Sequence, residues 1–194
     1  MAITYPLSLP TTIGIAQIDF RAVNAVAISR SPFTFQQQAH VYSGQAWQAD
    51  ITLPPVKGDL AEAWVGFLLA LRGQSGTFYL SDPLNTSPRG TATTLSVTGT
   101  SGSSSVTATI NGSLKAGDWF SLGSGTSTRL YKVVQDISSS GTMEIYPALR
   151  STVTGATGDL TEAKGAFRLS SNETSWSIND VNSYGITFGA MEAL

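Results

Sequence analysis

The chain has 194 residues, of which 41% are hydrophobic and 12% charged, with a formal net charge of -2. It is long enough to bury a core and too apolar to be a disordered chain. The near-neutral charge gives no electrostatic footprint for gripping nucleic acid, and the absence of cysteine excludes disulfides and thiolate metal sites.

Surface polarity comes from Ser, Thr and Gly rather than from charge, a composition suited to strands and tight turns. Met1 to Pro10 lacks a basic start followed by an apolar run, so no secretory leader is expected there. The longest apolar run, Leu60 to Leu71, contains Glu62 and is too short to span a bilayer. The chain is therefore expected to be soluble, with no membrane partner.

Residues 12–30 read as two or three strands, and Ser31-Pro32 as a turn. Phe33 to Ile51 alternates in part and reads as a hairpin turning near Ser43-Gly44, ending at Leu53-Pro54-Pro55 because proline cannot donate to a ladder. One helix is predicted at 59–72. Asp59 is its expected N-cap, with Glu62 three residues on as in a capping box. Leu60, Trp64, Phe67, Leu68 and Leu71 form the apolar stripe, and Gly73 stands where a left-handed cap belongs. A strand over 77–80 follows, stopped by Asp82-Pro83.

At Gly90 the composition changes. Residues 90–113 carry no charge, and Leu95, Val97, Val106, Ala108 and Ile110 alternate with small polar residues, which predicts two strands around a loop at 99–105. Further strands are expected at 119–122, 129–135 and 143–146, then at 165–169 and 174–189. The short, regular spacing predicts a small barrel or sandwich. The fold class is mainly β with one helix. A first domain is expected over 1–88 plus 170–194, and an inserted small barrel over 89–169.

Catalytic constellations are not legible. His40, the single histidine, stands in a polar strand with no nucleophile or orienting acid placed beside it, and reads as an ordinary sheet residue. The acids are scattered, with neither calcium-loop nor paired-carboxylate spacing. Gly99 and Gly102 lack the lysine and following helix of a phosphate loop. The four tryptophans fit core positions better than a glycan platform. No cofactor, metal or enzymatic activity is expected.

Residues 43–83 carry a resemblance. Ser43-Gly44-Gln45-Ala46-Trp47-Gln48-Ala49-Asp50-Ile51-Thr52-Leu53-Pro54-Pro55 precedes the helix. Leu71-Arg72-Gly73-Gln74-Ser75-Gly76-Thr77-Phe78-Tyr79-Leu80 and Asp82-Pro83 follow it. This order resembles the distal tail proteins, or closely related minor tail proteins, of long-tailed bacteriophages. Leu114-Lys115-Ala116-Gly117-Asp118, Arg129-Leu130-Tyr131 and Phe167-Arg168-Leu169 continue the pattern over most of the chain.

The resemblance implies a structural virion protein, assembled in the host cytoplasm. Its subunits form a homo-oligomeric ring, commonly a hexamer, that joins the tail tube to tip and hub proteins and lets DNA pass without specific binding. It also implies a ring-forming β domain carrying a helix, with an oligosaccharide-binding-like barrel as a second domain. On the long alternation and the Gln-rich opening at 36–38, residues 33–55 are expected to be an intersubunit hairpin or the ring's inner sheet, with Gln36, Gln38, His40, Tyr42, Gln45 and Trp47 as the hairpin residues. Trp119 and Tyr131 are the expected barrel-surface aromatics. Two rivals remain: a host-receptor or carbohydrate-binding module of the tail tip, and a cell-wall hydrolase.

Overall fold

In the computed structural model, residues 3–180 and 182–194 are described. The chain runs through β1 (Gln17–Arg30), β2 (Gln37–Thr52), β3 (Val56–Lys57), α1 (Asp59–Ala70), β4 (Phe78–Ser81), β5 (Leu95–Gly99) and β6 (Ser105–Ile110). It continues through β7 (Trp119–Leu122), β8 (Arg129–Val133), β9 (Gly141–Tyr146), β10 (Val153–Gly158), β11 (Lys164–Leu169), β12 (Trp176–Ile178) and β13 (Ser183–Glu192). The protein is mainly β with one α-helix, as composition and turn spacing predict.

Two sheets organise these strands. A seven-stranded sheet has the order β1-β2-β13-β11-β4, with β3 and β12 pairing on β13. A six-stranded sheet runs β10-β5-β6-β9-β8-β7. A single bridge, Ser121 to Asp159, joins its two ends into a nearly closed barrel. Strand β11, expected in the barrel, lies in the first sheet instead: Phe167 is paired to Phe78 on one side and to Glu192 on the other. Strand β10 is an addition to the sequence reading. Its segment, Val-Thr-Gly-Ala-Thr-Gly, buries only its last residue fully, so no apolar period marks it.

Helix α1 packs on the first sheet, with Trp64 against Phe188 and Phe67 against Phe78 at centroid distances of 6.2 and 5.7 Å. Its buried row is Ala61, Trp64, Val65, Phe67 and Leu68, while Leu60 is exposed. The expected stripe was thus rotated by one position at its start. The expected capping box does not form. Gly58 occupies the N-cap at φ 59°, a left-handed value that favours glycine, and Asp59 is already helical. The Glu62 carboxylate instead accepts a hydrogen bond from the Tyr184 hydroxyl at 2.7 Å. Gly73 has a positive φ of 67°, but the left-handed residue directly after the C-cap Leu71 is Arg72, at φ 52°.

Each sheet has its own core, and β7 and β8 serve both. Trp119 and Leu130 belong to the first core, whereas Phe120, Leu122, Tyr131 and Val133 fill the barrel. Alternation along these strands therefore reports two buried faces rather than a buried and a wet one. The sheets approach closely where β11 crosses β8: a Cβ on Gly165 would stand 2.9 Å from the Leu130 Cβ. The Ala166 N–H donates to the Thr128 carbonyl at 3.0 Å across the same junction.

Candidate assembly interface

Strands β1 and β2 form one antiparallel ribbon, not the four or five strands expected over 12–51. The register runs from Gln17 opposite Thr52 to Arg30 opposite Gln37. The chain reverses at 31–36, where the Ser31 N–H donates to the Gln36 carbonyl at 2.9 Å and Ser31 Oγ accepts from Phe33 and Thr34 N–H. Ser43-Gly44, expected as the turn, lies inside β2. There the register jumps from Asn24–Gln45 to Val26–Val41, so residues 42–44 oppose Ala25 alone. This irregularity is a bulge that bends the ribbon.

The ribbon leaves the body at this point. Every residue of β1 from Arg21 to Arg30 and of β2 from Gln37 to Gly44 is exposed. At roughly 3.4 Å per residue the free segment reaches roughly 25 Å beyond the sheet. Directly opposed residues share a face, so Val26 and Ile28 of β1 align with Val41 and Ala39 of β2. Val26, Ile28 and Val41 are 46%, 67% and 70% exposed. The opposite face carries Ala27, Ser29, Gln38 and His40, with no Lys, Arg, Asp or Glu among them. The His40 and Tyr42 rings meet edge to face at 4.6 Å. At the tip Phe33 is almost wholly exposed, and Phe35 lies under the Arg30 guanidinium.

The even positions of β1 explain the apolar face. Ile18 and Phe20 pack against the first core, and Val26 and Ile28 continue the same row past the edge of the body. The inner face of the sheet thus runs on past the point where the described residues cover it. Among the described residues the outer edge of β1 has no partner strand.

Six hairpin residues were expected together. Gln36, Gln38, His40 and Tyr42 do lie on the free ribbon or its turn. Gln45 and Trp47 do not, because the ribbon is rooted at their level. Gln45 Oε1 accepts from the Ala148 N–H at 2.7 Å, and Trp47, buried in the first core, donates Nε1–H to the Leu130 carbonyl at 3.0 Å. Sequence reading missed Val26, Ile28 and Val41, whose alternation looks like that of any half-buried strand. A shallow groove separates Val41, Tyr42 and Ser43 from Gly102, Ser104 and Ala148 of the barrel.

The expected barrel-surface aromatics are a correction as well. Trp119 and Tyr131 are 4% and 2% exposed. Trp119 is wedged against Trp47 and Phe20 on one side of the barrel wall, and Tyr131 stacks on Phe120 inside it. Neither offers a face to a sugar. Burial also pushes the Tyr131 hydroxyl pKa upward. The Trp119 Nε1–H donates to Asp82 at 3.1 Å, and Lys132 Nζ stands 4.1 Å over its ring. Partial burial pulls the Lys132 ammonium pKa downward. Burial would raise the Asp82 pKa, but hydrogen bonds from Asn85, Leu84 and Trp119 outweigh it and hold the carboxyl below its ordinary range. Trp119→Phe should therefore lower stability by about 1–2 kcal/mol through the lost hydrogen bond and ring volume, as read by denaturant unfolding. An unchanged midpoint would show that Trp119 is not packed as described.

Among the described residues, no group of three or more His, Asp or Glu side chains converges as a metal site would require. No helix there is long and apolar enough to cross a membrane. No protein-family model matches the chain, and no curated protein matches it in sequence.

Proposed function

We propose that the chain is a structural subunit of the tail of a long-tailed bacteriophage, a distal tail protein or a neighbouring minor tail protein. In this reading its copies assemble into a ring, commonly a hexamer, that joins the tail tube to the tip and leaves a passage for DNA. The tail assignment rests on the pattern over residues 43–83.

The single observation that carries self-assembly is the uncovered apolar face of the β1–β2 ribbon. An isolated two-stranded ribbon is at best marginally stable in water, so one this long calls for a surface to lie on. An open strand edge beside it favours pairing with another chain. A ribbon on one side of a subunit and its receptor on another make a head-to-tail contact, which closes into a ring when the rotation permits. Arg30 is the one charged side chain from Val26 to Arg30 and from Gln37 to Gly44, which keeps the desolvation cost of such a contact low. The polar face, with Ser29, Gln38 and His40 and no Lys or Arg, would not hold phosphate if it lines the passage.

Negative-stain microscopy of the purified protein tests this. Rings with a central hole are the expected result. A protein that stays monomeric at every concentration would overturn the ring, and a lysine-lined channel would overturn the non-gripping passage.

A further inference from the structure

We infer that residues 146–150, the segment that leaves the barrel after β9, are a strut that fixes the direction of the ribbon. On this view the barrel takes part in assembly. The inference rests on the reading of the ribbon as an assembly surface.

Three contacts converge where the ribbon leaves the body. The Tyr146 hydroxyl donates to the Val23 carbonyl at 2.9 Å, gripping β1. The Ala148 N–H donates to Gln45 Oε1 at 2.7 Å, gripping β2. The Arg150 guanidinium pairs with Glu192, whose Oε2 also accepts the Trp47 N–H at 3.2 Å. The Tyr146 ring meets Trp47 edge to face at 4.9 Å. One short segment of the barrel thus holds both ribbon strands.

The level of these contacts is what gives them a role in aiming. Val23 and Gln45 belong to the last regular pairs, Val23–Ala46 and Asn24–Gln45, before the register jumps to Val26–Val41. The bulge is the natural hinge of the ribbon, and it is tight: a Cβ on Gly44 would stand 3.1 Å from the Ala25 Cβ. Clamping both strands immediately below a hinge leaves the bulge as the one free bend. Beyond the bulge every residue of the two strands is exposed, and a shallow groove separates Val41 to Ser43 from Gly102 and Ser104 of the barrel.

Hydrogen exchange of the full chain, diluted to the monomer, tests the strut separately from the ring. Tyr146→Phe keeps the ring on Trp47 and removes only the hydroxyl. Gln45→Leu removes the acceptor, and Gln45→Glu keeps it. The Tyr146→Phe/Gln45→Leu pair should speed exchange at ribbon amides 22–26 and 41–46 by about tenfold while barrel amides stay at wild-type rates. Gln45→Glu should exchange as wild type does. Ring yield, counted by microscopy at matched concentration, should fall for the pair and hold for Gln45→Glu. Ribbon exchange unchanged in the pair would overturn the strut, even where rings form. If the pair loosens the barrel as well, Gln45→Leu alone decides by the same ribbon amides. Absence of wild-type rings would refute the ring reading while leaving the exchange result to decide the strut.

Discussion

Glu192→Leu is expected to lower the free energy of unfolding by about 3–5 kcal/mol, the cost of leaving a buried charge without its partner. The Glu192 side chain is 1% exposed and that of Arg150 17%, so water replaces little of what is lost. Its two oxygens take both Arg150 hydrogen bonds and the Trp47 N–H. The substitution orphans a guanidinium and a backbone donor at one stroke. The pair also ties the last strand of the first sheet to the segment leaving the barrel, so the loss should be felt by both cores. Arg150→Met combined with Glu192→Leu should recover a large part of the stability, because an apolar pair of similar volume removes the unpaired charge. Denaturant unfolding of wild type, single and double variants measures this. A single variant within about 1 kcal/mol of wild type would show that the pair is hydrated.

The second large effect concerns association rather than folding. Changing Val26, Ile28 and Val41 together to lysine should abolish ring formation and leave the monomer folded. These three side chains belong to neither core, being 46% to 70% exposed. Covering the remaining surface of each contributes about 1 kcal/mol, so their loss alone weakens a contact by about 100-fold. Lysines placed there add the cost of desolvating three like charges, so the true loss is larger. Sedimentation velocity reads the oligomer, and circular dichroism with a thermal melt reads the fold. Rings that persist in the triple variant would show that this face is not the interface.

Legibility followed how many faces of an element are buried. Helix α1, with one buried face and Gly58 as its N-cap, was placed within two residues of its C-terminus, although its stripe was rotated because Ala61 and Val65 are buried and Leu60 is not. Strands β5 and β6 alternate cleanly and were found by their apolar residues, although Gly99 and Ser105, expected in the loop, are strand residues. β7 and β8 carry apolar residues toward both cores, so their pattern could not say which side faced water, and Trp119 and Tyr131 were assigned to the wrong one. The ribbon misled differently. Val26, Ile28 and Val41 alternate as in any strand, and a sequence cannot show that the surface meant to cover them is missing from its own fold. Ser43-Gly44 carries ordinary turn chemistry but is used for a bulge.

The register of β4 with β11 has a consequence for how the chain reaches this structure. Lys164 stands opposite Ser81, so the strand that enters the barrel region and the strand that returns are hydrogen-bonded neighbours. Pairing them from an unfolded chain means closing a loop over residues 82–163. The entropic cost of closure rises by about 0.6 kcal/mol for each doubling of loop length. Contacts local to the barrel, such as the β5–β6 and β7–β8 hairpins, close far shorter loops and form at less cost. A barrel that condenses first delivers the two strand ends side by side. The sheet that carries the ribbon is then completed last, around a clasp that already holds.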